Sequence, residues 1–464
     1  MSENALFVPP PGRSTSASEW RALLSIAVPV VVVQVGMMLM GVVDTLMVGR
    51  VSANALAAVA LGNLYFFNTI VISMGALMAL DPLVAQAVGA NDQPAIARAV
   101  QRGIVLALFL GILTTIGMLP VGPALRMFRQ PAEVTPDARL YVHIGAASMI
   151  PFLLFVVLRQ TLQALHRIAP IVITIVAANL LNVFLNWALI FGHLGAPKLG
   201  VAGAAIATVI GRWFMFVGLL VVAWKEMRPY LHSLDRSSLA LKPLRRMLAL
   251  GLPIGLQQFL EYSAFAAVGL MMGAFGALQV AAHQIALNLA ALTFMVPLGV
   301  AAAASVRVGH AIGSVDAPRA RRAARLAYFI GTGFMLTTAT LFLVLPRELS
   351  EMYTPDTAVI GIAATLIPIA GLFQVFDGLQ AVGAGVLRGL GDTRVPLIAM
   401  LSGYWLIGIP VSVLLGFRTG MGPEGLWWGF VAGLASVAIF LLLRVRVLFR
   451  RGVTRIDVDA PPSH

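Results

Sequence analysis

Four ionisable residues stand inside long apolar runs: Asp44, Glu261, His283 and Asp377. An ionisable side chain at such a position costs several kcal/mol and is functional by default. Low dielectric disfavours the charged form of a carboxylate, so such acids could load and release protons near neutral pH. Alternatively, Glu261 and Asp377, with nearby amide oxygens, could hold Na⁺, a hard cation that prefers oxygen ligands. The residue types leave both open. His283 opens its run in AAHQIALN and can also be read as a satisfied histidine at a helix start.

The neighbours of these residues follow helical spacing. Gln257 and Gln258 precede Glu261 by four and three residues, which puts them on its face. Gln374 and Gln380 flank Asp377 by three residues on either side. Gln34, Met37, Gly41 and Asp44 share one face of the first apolar run. A polar stripe on an otherwise apolar helix must face a bundle interior or a water-filled cavity. Aromatics such as Phe265 and Phe294 near carboxylates could hold flat organic cations. The candidate ion-coupling set is therefore Glu261, Asp377 and Asp44, with Glu261 and Asp377 the pair for Na⁺. The candidate substrate contacts are Gln34, Gln257, Gln258, Phe265, His283, Gln284, Phe294 and Gln374.

The elements that position these residues are membrane-spanning helices. Of the 464 residues, 59% are hydrophobic and only 11% charged, which excludes a water-soluble globule and a disordered chain. Apolar runs of about 20 residues recur, the length of a bilayer-spanning helix. Expected helices lie near 21–46, 55–80, 96–118, 138–160, 169–192 and 199–224. After a charged stretch they resume near 249–273, 279–304, 322–345, 359–383, 395–417 and 424–447. The first run is too long for a cleaved signal core, so it reads as a retained helix. The runs lack the alternation of a barrel strand. The fold class is an all-α polytopic membrane protein of about twelve transmembrane helices.

The chain repeats internally. At one offset of 224 residues, Pro29 falls on Pro253, Gln34 on Gln258, Gly75 on Gly299, Gly89 on Gly313, Asp92 on Asp316 and Arg98 on Arg322. Chance matches between apolar helices fall on Ala and Val, rarely on Gly, Pro, Gln and Asp together. The reading is two homologous six-helix lobes, at 21–224 and 249–447. A tail at 1–20, a linker at 225–248 and a tail at 448–464 complete the chain. Six helices return each lobe to its starting side, so the lobes share an orientation. Parallel repeats of this kind are found in secondary transporters, with the site at the repeat interface.

The net charge of +13 has a side. Summed over alternate loops, Lys and Arg concentrate on the face that carries both tails and the linker; Arg159 and Arg388 are counted among those loops. The positive-inside rule makes that face, with both termini, cytoplasmic; for a bacterial chain the expected membrane is the inner one. Basic helix ends meet anionic headgroups, so membrane lipids are partners and nucleic acid is not. Arg212 lies within a span, and no role is assigned to it.

Catalytic signatures are absent from the sequence: there is no HExxH, GxSxG or Walker GxxxxGK[ST] motif, and so no expectation of an enzyme or of ATP drive. Zero cysteines exclude disulfides and Cys-ligated metals. No cofactor is expected beyond a coupling ion. The run from Gly383 to Thr393 (GAGVLRGLGDT) misses the dinucleotide spacing and reads as a turn.

Five segments carry a family resemblance: Pro29 to Arg50, Gly251 to Phe265, Val280 to Asn288, Val306 to Gly313 and Gln374 to Pro396. Across about residues 20–447 the chain resembles the multidrug and toxic compound extrusion (MATE) family, in its NorM-like branch. The resemblance implies twelve helices in two lobes opening outward as a V. It also implies export of amphipathic organic cations in exchange for Na⁺ or H⁺, by a monomer. The family's acids carry over onto Asp44, Glu261 and Asp377, and the last two place the chain in the NorM-like rather than the DinF-like branch. A flippase for lipid-linked precursors, with an anionic substrate, would call for bases in the cavity, where this sequence places acids. A membrane-embedded enzyme would need a catalytic cluster near one interface.

Overall fold

The computed structural model describes residues 16–127, 130–231, 236–456, 458 and 459. Most of the expected N-terminal tail, part of the linker and the last five residues of the C-terminal tail lie outside them. Every described element is helical. The first half comprises α1 (Ser16–Gly49), α2 (Ala53–Leu77), α3 (Leu80–Gly89), α4 (Gln93–Met118) and α5 (Val121–Met127). It continues with α6 (Thr135–Ala146), α7 (Met149–Ala164), α8 (Ala169–Phe191), α9 (Val201–Val222) and α10 (Trp224–Leu231). The second half comprises α11 (Leu241–Met272), α12 (Ala277–Gly313), α13 (Ala317–Val344), α14 (Pro346–Glu351) and α15 (Thr357–Gly389). It ends with α16 (Arg394–Met400), α17 (Ile409–Val413) and α18 (Gly422–Arg451).

Among the described residues, ten helical stretches are long and apolar enough to cross a membrane, and the bent pair α6–α7 makes an eleventh. The twelfth expected span, α11, is as long as the others but carries Lys242, Arg245 and Arg246 at one end and Gln257, Gln258 and Glu261 in its middle. The polar residues singled out as candidate site residues are the ones that dilute its apolar character. Its helix begins at Leu241, so the end of the expected linker is already helical.

Two departures from straight helices have local causes. The α6–α7 pair bends by 52° at Ala147 and Ser148. Pro151 lacks the N–H that would bond the Ala147 carbonyl, and Ser148 Oγ turns back to the Gly145 carbonyl at 2.6 Å. Between Arg394 and Arg418 the chain passes through two π-helical stretches, Leu401–Gly408 and Leu414–Arg418. Pro410 lies between them, and π turns recur at functional sites.

The two halves are joined by a pseudo-twofold seam. Helix α1 packs on α12, and its repeat mate α11 packs on α2, the mate of α12. A Cβ at Gly89 would lie 2.1 Å from the His310 carbonyl oxygen, and one at Gly313 2.0 Å from that of Gln86. These contacts are the same contact viewed twice, since Gln86 and His310 are themselves 224 residues apart. Only glycine lets the backbones come so close. The side chains repeat the pattern: Gln86 Nε2 donates to the Gly389 carbonyl at 2.9 Å, and His310 Nε2 to that of Ala164 at 2.8 Å.

The ion pairs joining the lobes cluster at the arginine-rich end. Buried Glu19 of α1 meets Arg307 at 2.5 Å and Arg319 at 3.0 Å. Asp81 of α3 meets Arg388 of α15 at 3.3 Å. The C-terminal segment lies across this end: Arg455 pairs with Asp92 at 2.7 Å, the Ile456 amide donates to Gln86 at 2.7 Å, and Asp459 pairs with Arg98 and Arg102.

Candidate functional site

Each lobe carries a buried acidic centre, built differently in each. In the first lobe Asp44 of α1 is 3% exposed. Its Oδ1 accepts from Asn182 at 3.1 Å and from Asn186 at 2.5 Å, one turn apart on α8. Its Oδ2 accepts from the Thr208 hydroxyl of α9 at 2.9 Å. Arg212, one turn after Thr208, donates to Ser148 Oγ at 3.1 Å and stacks over Phe66 at 3.8 Å. Nearby, Tyr141 donates to Asn63 at 3.0 Å. The bend before α7 thus provides the acceptor that anchors Arg212 beside the acid.

In the second lobe Glu261 of α11 accepts from the Tyr404 hydroxyl at 3.2 Å. The π turn carrying Tyr404 also places Trp405 Nε1 on the Leu260 carbonyl at 3.2 Å, which locks the two helices in register. Gln380 lies beside Glu261, and buried Asp377 of α15 is close enough to feel its charge. Asp377 Oδ1, Gln380 Oε1 and Gln374 Nε2 have no hydrogen-bond partner among the described residues. Thr293 of α12 donates to Gln374 Oε1. One side of this centre is an aromatic wall. Phe265 packs on Phe373, Tyr404 and Phe430 with centroids 5.8, 6.3 and 4.8 Å away. Trp427 continues the wall from Phe373 and Phe430.

The structure gathers only part of the expected set. Glu261, Asp377, Gln374 and Phe265 come together. Buried His283 lies behind the wall, edge to face with Trp427 at 5.6 Å, with both ring nitrogens unpartnered among the described residues. Gln257 turns to the Thr393 carbonyl at 2.8 Å and Gln258 to Met78 Sδ of the other lobe at 3.3 Å. They share a helix with Glu261 without sharing its partners. Gln34 meets Arg159 across the first lobe at 3.4 Å. Gln284 is exposed and bonds Asn288 one turn on, and Phe294 is half-buried.

Helix spacing could have found two features that were missed. Asn179, Asn182 and Asn186 form a polar stripe on α8 as regular as that around Glu261. They escape a search confined to ionisable residues. Asp81 is a further fully buried acid, in a short helix that continues α2 beyond a break. The basic residues also need correction. Arg159 and Arg388, counted among the loops, lie in α7 and α15, where Arg159 is buried and Arg388 reaches Asp81. Continuing the helix turned them from rim charges into partners of Gln34 and Asp81. The Gly383–Thr393 run ends α15 in a turn, with Gly391 at φ 84° and Asp392 holding Arg444 at 2.7 Å.

Two lobes in reciprocal contact, a glycine seam and one acidic centre per lobe define a polytopic helical membrane protein of internally duplicated design. The MatE family model matches both halves, at residues 29–188 and 253–414, and the chain belongs to this family of transporters. It is 38% identical to the probable multidrug resistance protein NorM of Rhizobium meliloti (strain 1021) over 94% of both chains. It is 39% identical to the multidrug resistance protein PmpM of Pseudomonas aeruginosa, over 94% of this chain and 92% of that one. The fold is shared with the eukaryotic MATE transporter AtDTX14, with a TM-score of 0.86 at 24% identity, over 94% of this chain and 97% of that one.

Proposed function

We propose that this chain is an ion-coupled antiporter that exports amphipathic organic cations across the bacterial inner membrane, taking Na⁺ or H⁺ inward in exchange. The observation that carries the reading is the second-lobe centre. It has two neighbouring carboxylates, an Asp377 oxygen and a Gln380 oxygen without partners among the described residues, and an aromatic wall beside them. Unfilled oxygens in an apolar interior attract a cation or a proton. Aromatic faces take up the flat apolar part of an organic cation.

Neutralising the pair with an inward-moving ion weakens its hold on a cationic drug. Reciprocal linkage requires that the drug equally weaken the ion. The two lobes exchange access by rocking about their seam, and glycine contacts at one end supply the pivot. Multidrug relatives support the substrate class. The arginine-rich end is cytoplasmic on the positive-inside rule, and the chain works as a monomer without ATP.

The test is ethidium efflux from vesicles carrying the purified chain, with ΔpH and ΔNa⁺ imposed separately. Efflux driven by ΔpH alone assigns H⁺, and efflux driven by ΔNa⁺ alone assigns Na⁺. Efflux indifferent to both overturns the antiport reading.

A further inference from the structure

A cleft of about 540 Å³ opens between α13 and α18 in the second lobe and reaches α15 at Leu379; none of the residues of the two acidic centres lines it. Its two ends differ in chemistry. Arg321 and Arg325 lie in the first three turns of α13, Arg446 and Arg450 in the last two turns of α18, and all four are exposed. Arg321 is held by the Phe449 carbonyl. Arg325, Arg446 and Arg450 have no hydrogen bond or ion pair among the described residues, and no acidic side chain lines the cleft. Deeper along the helices the lining is Tyr328, Leu379 and Leu442, apolar except for the Tyr328 hydroxyl, which has no hydrogen-bond partner among the described residues. Leu379 stands ten residues before the end of α15, about 15 Å into the span at the helical rise.

We propose that this cleft is a binding site for an anionic phospholipid, with its phosphate on Arg325, Arg446 and Arg450 and an acyl chain against Leu379 and Leu442. The charge profile selects an amphiphile. Three unpaired guanidiniums suit a phosphate, and a pocket that deepens into apolar wall beside membrane-crossing helices suits a hydrocarbon tail. A free phosphate would leave the deep half empty. A cationic drug would meet like charge at the mouth. Basic pockets between helix ends are known to take lipid headgroups. The site needs only that α13, α15 and α18 cross the membrane, so it stands or falls apart from the antiport reading.

The experiment is native mass spectrometry of the full chain in neutral detergent, titrated with phosphatidylglycerol, phosphatidylcholine or inorganic phosphate. Phosphatidylglycerol is expected to bind at least about tenfold more tightly than phosphatidylcholine, as several arginines near a membrane surface allow. The R325Q/R446Q/R450Q variant should lose that preference, while R21Q/R228Q/R245Q, which removes three exposed arginines elsewhere, should keep it. L442W fills the floor without altering charge and should weaken phosphatidylglycerol by a similar factor. Equal loss in the two triple variants would reduce the effect to overall charge and overturn the site. Unaltered binding in L442W, or inorganic phosphate displacing the lipid, would overturn the acyl-chain half of the assignment.

Discussion

The two acidic centres sit in lobes that share a repeat, yet they occupy different places in it. Shifted by 224 residues, Asp44 falls on Val268 and Glu261 on Met37. The seam behaves in the opposite way: Gly89 and Gly313, Gln86 and His310 keep both position and contact. Packing two copies face to face constrains the seam twice over, because each contact recurs between the mates of the residues that make it. The interior of a lobe carries no such constraint, and there the copies have diverged. The centres also differ in saturation. Both Asp44 oxygens are bonded by amides and a hydroxyl, whereas an Asp377 oxygen has no partner among the described residues. The first holds its carboxylate in place from both oxygens, and the second leaves an oxygen open among the described residues.

The largest effect expected from this contrast is on transport. Asp377→Asn and Glu261→Gln should each lower ethidium efflux at least about tenfold while leaving membrane insertion and thermal unfolding close to the parent. Normal efflux in both would remove the second lobe from the coupling site. Asp44→Ala should act on folding as well. It strips the acceptor from the Asn182 and Asn186 amides, while the Thr208 hydroxyl keeps the Ala204 carbonyl, and each buried group left unsatisfied costs about 1–3 kcal/mol. A clear drop in melting temperature for Asp44→Ala but not for Glu261→Gln would sharpen the comparison, and equal drops would break it.

A smaller effect is expected for Tyr404→Phe. It removes one hydrogen bond from Glu261 and leaves the aromatic wall, so efflux should fall about three- to tenfold, in line with about 1 kcal/mol for such a bond. Loss as complete as that of Glu261→Gln would mean that the hydroxyl itself binds the ion.

The smallest effect concerns the end that both lobes share. Burial raises the pKa of Asp459, but the hydrogen bonds and charges of Arg102 and Arg98 outweigh it and hold the carboxyl below its usual range. A lowered folded pKa stabilises fully above the ordinary aspartate value of about 3.9 and loses that contribution as pH falls through the folded value. A spin label at residue 453 should therefore keep constant mobility from neutral pH down to about pH 5 and loosen below about pH 4. In Asp459→Asn the label should be looser at all pH values and the acid-induced change reduced, with the Asp92–Arg455 pair providing the remainder.

Much of this was legible in the residue order. Helix positions follow from apolar runs, and the duplication follows from Gly, Pro, Gln and Asp matching at one offset. Asp44, Glu261 and Asp377 stand out because charge is so scarce. Side-chain partnership was less legible. Gln257, Gln258 and Glu261 share a helix face, but the turn after α15, the break after α2 and the π-helical stretch at Tyr404 meet that face and divide them. Arg159 and Arg388 looked like loop charges because charge ends an apolar run whether or not the helix ends with it.

Sequence by itself determined that this chain lives in a membrane, is made of two like halves, and keeps a few acids in its interior. Each of these depends on composition or on spacing along one strand of chain. Tertiary structure alone decided which acid is satisfied and which is left open. That depends on the side chains that other helices bring to each carboxylate. Asn182 and Thr208 reach Asp44 from 138 and 164 residues away, and no local pattern records that meeting.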